Sequence, residues 1–221
     1  GALASQSHEL VLRGLARHLL VRFSADAFAS NSSVAAASGV AMIAPVTTLV
    51  GDVAWSRVRT LASEPNAYVQ TVTMRLRKVW AHLQRESKEG VAYPLAAIGA
   101  VWSATVQESL DQVLDGFAKV QQCSAEVRAL MSLDLAVLYR EFEGIAPCDE
   151  GCAAARQRVD DYIKAFYYDR DKDTLEWVDA NKRRYEQWHL TNLVEYGVGA
   201  SKSEAQRTIL LQNVDTLYNR G

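Results

Sequence analysis

The sequence predicts an all-α fold, an elongated antiparallel bundle of about eight stacked helices. Three observations lead there. Apolar residues recur at steps of three and four along most of the chain, the spacing that lines one face of a helix. No stretch alternates apolar and polar residues as a strand does, and no two-residue hairpin signal occurs. Proline is limited to 4 residues, as suits long helices.

Taken in order, the first helix is expected over 5–28, where Leu12, Leu15, Leu19 and Phe23 share a face. A second is expected over 46–62. Ser63-Glu-Pro65-Asn66 reads as a turn that opens a third over 66–87, with Pro in the first turn where its missing N–H does no harm. There Val69, Val72, Leu76, Val79 and Leu83 step by 3, 4, 3 and 4, and Lys88-Glu-Gly90 closes the helix. The fourth, over 93–121, carries Leu110, Val113, Leu114 and Phe117. Ser124 is placed to cap a fifth over 124–143, with Val127, Leu130, Met131 and Leu138 inward and Gly144-Ile-Ala-Pro147 as its stop. Val159, Tyr162, Ile163, Phe166 and Tyr167 mark a sixth over 153–168. A seventh is expected from 173 to 181 or beyond. The last, over 202–218, has Leu210, Val214 and Leu217 on its face and Ser201-Lys-Ser-Glu204 as a capping box. Short connections make neighbours antiparallel. Residues 29–45 are the hardest to place, and the whole 1–221 is read as one domain.

Composition narrows the function classes. With 221 residues, 49% hydrophobic and 23% charged, the chain can bury a real core. A formal charge of −2 gives no global basic field for nucleic acid, so none is expected as a partner. The chain opens on Gly rather than Met and has no signal-peptide pattern, which reads as an excised segment. Two uncharged stretches, Ala27 to Gly51 and Gly90 to Gln107, raise the question of a membrane span. The first holds Asn31, Gly39 and Pro45, and the second is mostly small residues, so a helix buried within a bundle is the better account of it. Cys123, Cys148 and Cys152 make a poor disulfide framework and lack the further ligands of a zinc site, so free thiols are expected.

Asp169-Arg-Asp171-Lys-Asp173 places an acid at every second position. A calcium loop beginning at Asp169 would need Gly and Glu where Thr174 and Ala180 stand, and Arg170 and Lys172 neutralise the acids. The triplet is therefore read as a hinge between helices, with Asp173 capping the next one and Glu176 at capping-box spacing. No phosphate loop, dinucleotide fingerprint, nucleophile elbow or zinc-protease helix occurs. Catalytic residues, metals and cofactors are not expected.

Two polar features stand out. Asp134 falls on the core-facing side between Met131 and Leu138, and a buried carboxylate needs a partner. A neighbouring helix or a base such as Arg128 or Lys119 could supply it, or Asp134 could order a contact site. Asn181-Lys-Arg-Arg-Tyr185 is the densest basic run. It reads as a solvated helix face, a surface for an acidic protein partner, or a site for phosphoinositide headgroups. Of the flanking tryptophans, Trp177 is expected in the core.

The C-terminal half is similar to a known family. GFAKVQQCSAEVRALMSLDL (116–135), VDDYIKAFYY (159–168) and LTNLV (190–194) resemble the C-terminal domain of the syndetin family. GDVAWSRVRTLASEPNAYVQTV (51–72) and the final helix extend the likeness to residues 46–218. The resemblance implies a subunit of the endosome-associated recycling protein complex, a multisubunit vesicle tether related to the Golgi-associated retrograde protein complex. It implies a non-catalytic interaction module in endosomal recycling and retrograde traffic. The other complex subunits would be its partners, with SNARE proteins and the membrane surface as further candidates. The implied location is cytoplasmic, peripheral to recycling endosomes and the trans-Golgi. Lys182, Arg183, Arg184 and Tyr185 are the expected partner-binding residues. A peripheral module that binds anionic headgroups through the same run is the alternative. The acidic triplet, the Cys148–Ala155 linker and the stretch 27–44 look particular to this chain.

Overall fold

The centre of the fold is a helix that is buried almost all round. It belongs to a computed structural model that describes residues 11–16, 18, 45–88, 95–121, 123–168 and 170–219. Eight α-helices can be delimited there: α1 (Val46–Gly51), α2 (Ala67–Lys88), α3 (Leu95–Ala118), α4 (Ala125–Ile145), α5 (Glu150–Ala165), α6 (Asp171–Asn181), α7 (Gln187–Asn192) and α8 (Glu204–Asn219). Residues 11–16 are also helical, and no strand occurs among the described residues. Most of the expected helix over 5–28, the stretch 29–44, Gly90 to Pro94 and Asp169 lie outside them.

The central helix is α3, which packs against α1, α2, α5 and α7. Its small polar residues tolerate burial because their hydroxyls bond back along the helix. Thr105 Oγ1 donates to the Val101 carbonyl at 2.7 Å, and Ser109 Oγ to that of Thr105 at 2.8 Å. Gly116 lets α1 approach, since a Cβ added there would lie 2.5 Å from Val50 Cβ. No helix among the described residues is long and apolar enough to cross a membrane.

Contacts fix the helix directions. Trp80 meets Trp102 at 5.3 Å, and Arg128 reaches the Phe166 carbonyl while Arg156 covers Tyr139. Residue numbers thus fall on α5 as they rise on α4, and these two helices run antiparallel. Across alternate helices the numbers rise together: Ser103 meets Asp149 and Asp111 meets Arg158 along α3 and α5. Likewise Asn66 meets Asp134 and Arg77 meets Glu141 along α2 and α4. This is the up–down order that short connections impose. One apolar core runs through it from Val46 to Val214. Val72, Leu76, Val79, Leu114, Met131, Leu138, Tyr162 and Ile163 are all fully or almost fully buried.

Four expectations need correction. The helix expected over 46–62 ends at Gly51. The Trp55 indole donates to the Val50 carbonyl at 2.9 Å, satisfying a group the next turn would have used. Only a 3₁₀ turn, Trp55–Arg57, follows before the chain extends. Pro65 stands ahead of α2 rather than in its first turn, because the helix begins at Ala67. The final capping box is Ser203 with Gln206, not Ser201 with Glu204. Ser203 Oγ accepts the Gln206 N–H at 3.4 Å, and Gln206 Oε1 accepts the Ser203 N–H at 3.2 Å. Finally, α7 was not anticipated, nor were the π-helical turn Leu193–Gly197 and the 3₁₀ turn Val198–Ser201 that follow it. Gly197 is required here, as its Cβ would fall 2.2 Å from the Phe166 ring.

Candidate interaction site

Asp134 is completely buried on α4 and points at the start of α2. Its two carboxylate oxygens accept the Asn66 backbone N–H and the Asn66 side-chain amide, each at 2.8 Å. The partner is therefore a helix start, and neither Arg128 nor Lys119. Arg128 is turned to the Phe166 carbonyl at 3.1 Å and covers the Tyr167 ring at 4.4 Å, and Lys119 lies over Trp188. Burial raises the Asp134 pKa from its ordinary value, and the Asn66 bonds oppose that rise in part. The buried Tyr68 hydroxyl feels this carboxylate but makes no hydrogen bond of normal geometry.

Asp173 is no cap. Helix α6 starts two residues earlier at Asp171, so Asp173 sits inside the first turn and accepts the Arg170 Nε–H at 2.8 Å. Lys172, not a backbone N–H, faces Glu176 at 3.6 Å. Asp171 meets Lys202 at 2.6 Å, which ties the start of α6 to the start of α8. Both acids stand at the positive end of α6, where their charge is favourable.

The basic run divides. Lys182 is mostly buried, and its ammonium donates to the Leu217 carbonyl at 2.9 Å and meets Asp179 at 3.1 Å. It closes the last turns of α6 onto the end of α8. Tyr185 is only 5% exposed. Its hydroxyl donates to the Arg158 carbonyl at 2.7 Å, while its ring packs between Trp177 at 5.4 Å and Tyr162 at 5.8 Å. Burial raises its pKa well above the usual phenol value. Arg184 reaches Asp161 at 2.9 Å and Asn181 at 2.8 Å. Arg183 alone of the four is exposed with no partner among the described residues.

His189 braces the same corner. Its Nδ1 accepts the Glu186 N–H at 3.2 Å, so the ring hydrogen is on Nε2, which faces Asp115 Oδ1 at 2.8 Å. Tyr162 donates to the His189 carbonyl at 3.0 Å. Trp188 lies against His189, partly exposed.

Three arginines converge beside the run. Arg13 and Arg158 both pair with Asp111 on α3, and Arg184 joins them along the edge of α5. Burial raises the Asp111 pKa, and the two guanidiniums restrain that rise. Arg13, Asp111 and Arg158 were missed by sequence reasoning, because they lie 98 and 47 residues apart and fill no motif.

The cysteines are free thiols. Burial pushes the Cys123 thiol up to about 12, which favours the protonated form. The Cys148 thiol donates to the Ala146 carbonyl and the Cys152 thiol to that of Ser103. The nearness of the two thiols lowers Cys148 and raises Cys152, which burial raises further. Among the described residues no three His, Cys, Asp or Glu side chains gather as metal ligands.

Comparison with known proteins now decides the family. The family described as "Syndetin, C-terminal" matches residues 20–215. This chain belongs to the syndetin C-terminal family. Syndetins of Gallus gallus, Rattus norvegicus and Mus musculus are each 30% identical over 169 residues. That stretch is 76% of this chain but 17% of each relative, so the chain spans a small part of the syndetins it matches. No solved structure matches. The basic corner at 182–185 and the Asp134 junction both fall inside the region that matches the syndetin family.

Proposed function

We propose that this domain is a non-catalytic interaction module of a vesicle-tethering complex that acts in endosomal recycling and retrograde traffic. Membership of the syndetin C-terminal family is the observation that carries the reading. The architecture agrees with it: helices locked by core packing and polar staples present rigid surfaces. Other subunits of the complex are the expected partners, SNARE proteins are further candidates, and the setting is the cytoplasmic face of recycling endosomes and the trans-Golgi. Arg183, with Arg184 beside it, is the binding group; Lys182 and Tyr185 hold it in place. Crosslinking the full-length protein on endosomal membranes, followed by mapping of residues 160–219, tests this. The expected result is crosslinks from this corner to a protein of the docking machinery. Crosslinks confined to elsewhere in the protein would overturn the reading.

A further inference from the structure

Arg183 stands on the ridge between two adjoining clefts. One, of about 340 Å³, has Arg158, Lys182, Arg183, Arg184 and Glu186 on its walls. The other, of about 460 Å³, has Arg13, Arg158, Arg183, Arg184 and Asp111. Among the described residues, five bases thus face two acids in a chain whose net charge is −2. The acids are engaged: Asp111 holds Arg13 and Arg158, and the Glu186 side chain caps its own helix. Asp161 and Asp179, just behind the walls, hold Arg184 and Lys182. These pairings fix four of the bases in position and leave Arg183 as the guanidinium with both edges open. Arg158 also keeps one donor, Nε, without an acceptor.

The shape and lining indicate the occupant. A guanidinium fork binds a carboxylate through two parallel hydrogen bonds. Gln107 and Gln157 border the larger cleft; their amide nitrogens donate to Asp149 and Asp161, and their amide oxygens suit the N–H groups of a peptide backbone. A membrane fits less well. The surfaces are concave, and among the described residues none of the large exposed apolar ones (Val11, Leu15, Leu61, Met74, Tyr167, Tyr168, Trp188, Ile209) lines either cleft to insert among lipids.

Resting on the interaction-module reading above, we propose that these two clefts receive a short acidic peptide segment of a partner protein, with a carboxylate side chain bonded to Arg183.

The test is fluorescence anisotropy on the 221-residue chain with a labelled Glu-Gly repeat peptide, its Gln-Gly counterpart, and phosphatidylcholine vesicles with and without phosphatidylserine. The Glu peptide should bind, more weakly as salt rises, and the Gln peptide should not. Arg183→Glu should weaken binding at least about tenfold, Arg183→Lys less, since a point charge replaces the fork. Arg140→Glu, on a helix that lines neither cleft, should change nothing. Because Arg183 makes no hydrogen bond or ion pair among the described residues, these variants should remain folded, which circular dichroism checks. Equal binding of the Gln peptide, or indifference to Arg183→Glu, would overturn the proposal. So would Arg183-dependent capture of the phosphatidylserine vesicles without peptide binding, which would assign the clefts to lipid. Peptide binding is scored without any partner, so its failure leaves the tether reading to the crosslinking result. A chain that binds the peptide yet crosslinks to nothing on endosomes keeps this inference and loses that reading.

Discussion

Asp134 and Arg183 are charged residues in opposite circumstances. Asp134 is fully buried, and both its oxygens are bonded to Asn66. Arg183 is exposed and bonded to nothing among the described residues. The first joins two helices, with both of its oxygens committed to that junction. The second is held out by neighbours that are themselves tied down, Lys182 to Leu217 and Tyr185 to Arg158. In this fold a polar group that is satisfied works for stability, and one left unsatisfied at the surface is available for recognition. Consecutive residues of one basic run fall on both sides of that line.

Substitutions at the two sites separate these roles. Tyr185→Ala has the largest expected effect, a loss of about 3–5 kcal/mol in urea unfolding, as for other buried aromatic truncations. A loss near zero would mean that the corner is not packed as described. Asp134→Ala should come next at about 1–3 kcal/mol, because both Asn66 donors lose a charged acceptor. Asp134 also sets a pH dependence. Its folded pKa is raised, so the folded state keeps a proton that the unfolded state has released. Stability from this group therefore falls as pH rises from the ordinary 3.8 through the raised value. Asp111, raised in the same direction, adds a slope of the same sign. Urea midpoints at stepped pH should fall less steeply in Asp134→Asn than in the parent chain; equal slopes would contradict the assignment. The smallest effects separate two neighbours. Lys182→Ala should cost about 1 kcal/mol for its bond to the Leu217 carbonyl, and Arg183→Ala should stay within about 0.5 kcal/mol.

The helices were legible where burial is one-sided. On α2 the stripe Val69, Val72, Leu76 and Val79 is buried as its spacing predicts. The segment 187–201 was not legible, because Leu193, Val194 and Val198 are buried in a π turn and a 3₁₀ turn whose spacing is not 3.6. Its glycines mark close approaches to Phe166 and to the Val194 carbonyl that only the folded chain reveals. The site was half legible. Local charge density pointed to 182–185, but which base turns inward depends on where the end of α8 lies. The Arg13–Asp111–Arg158 cluster depends on three distant segments and left no local signal.

On the reading proposed above, the basic run divides between holding the fold and meeting a partner. The decisive experiment pairs urea stability with partner crosslinking on endosomal membranes for Arg183→Glu and Tyr185→Phe. Arg183→Glu should keep its stability and lose the crosslinked partner. Tyr185→Phe should lose about 1 kcal/mol or more, the Arg158 carbonyl being left without its donor, and keep the partner. Full crosslinking in Arg183→Glu, or its loss in a folded Tyr185→Phe chain, would contradict it.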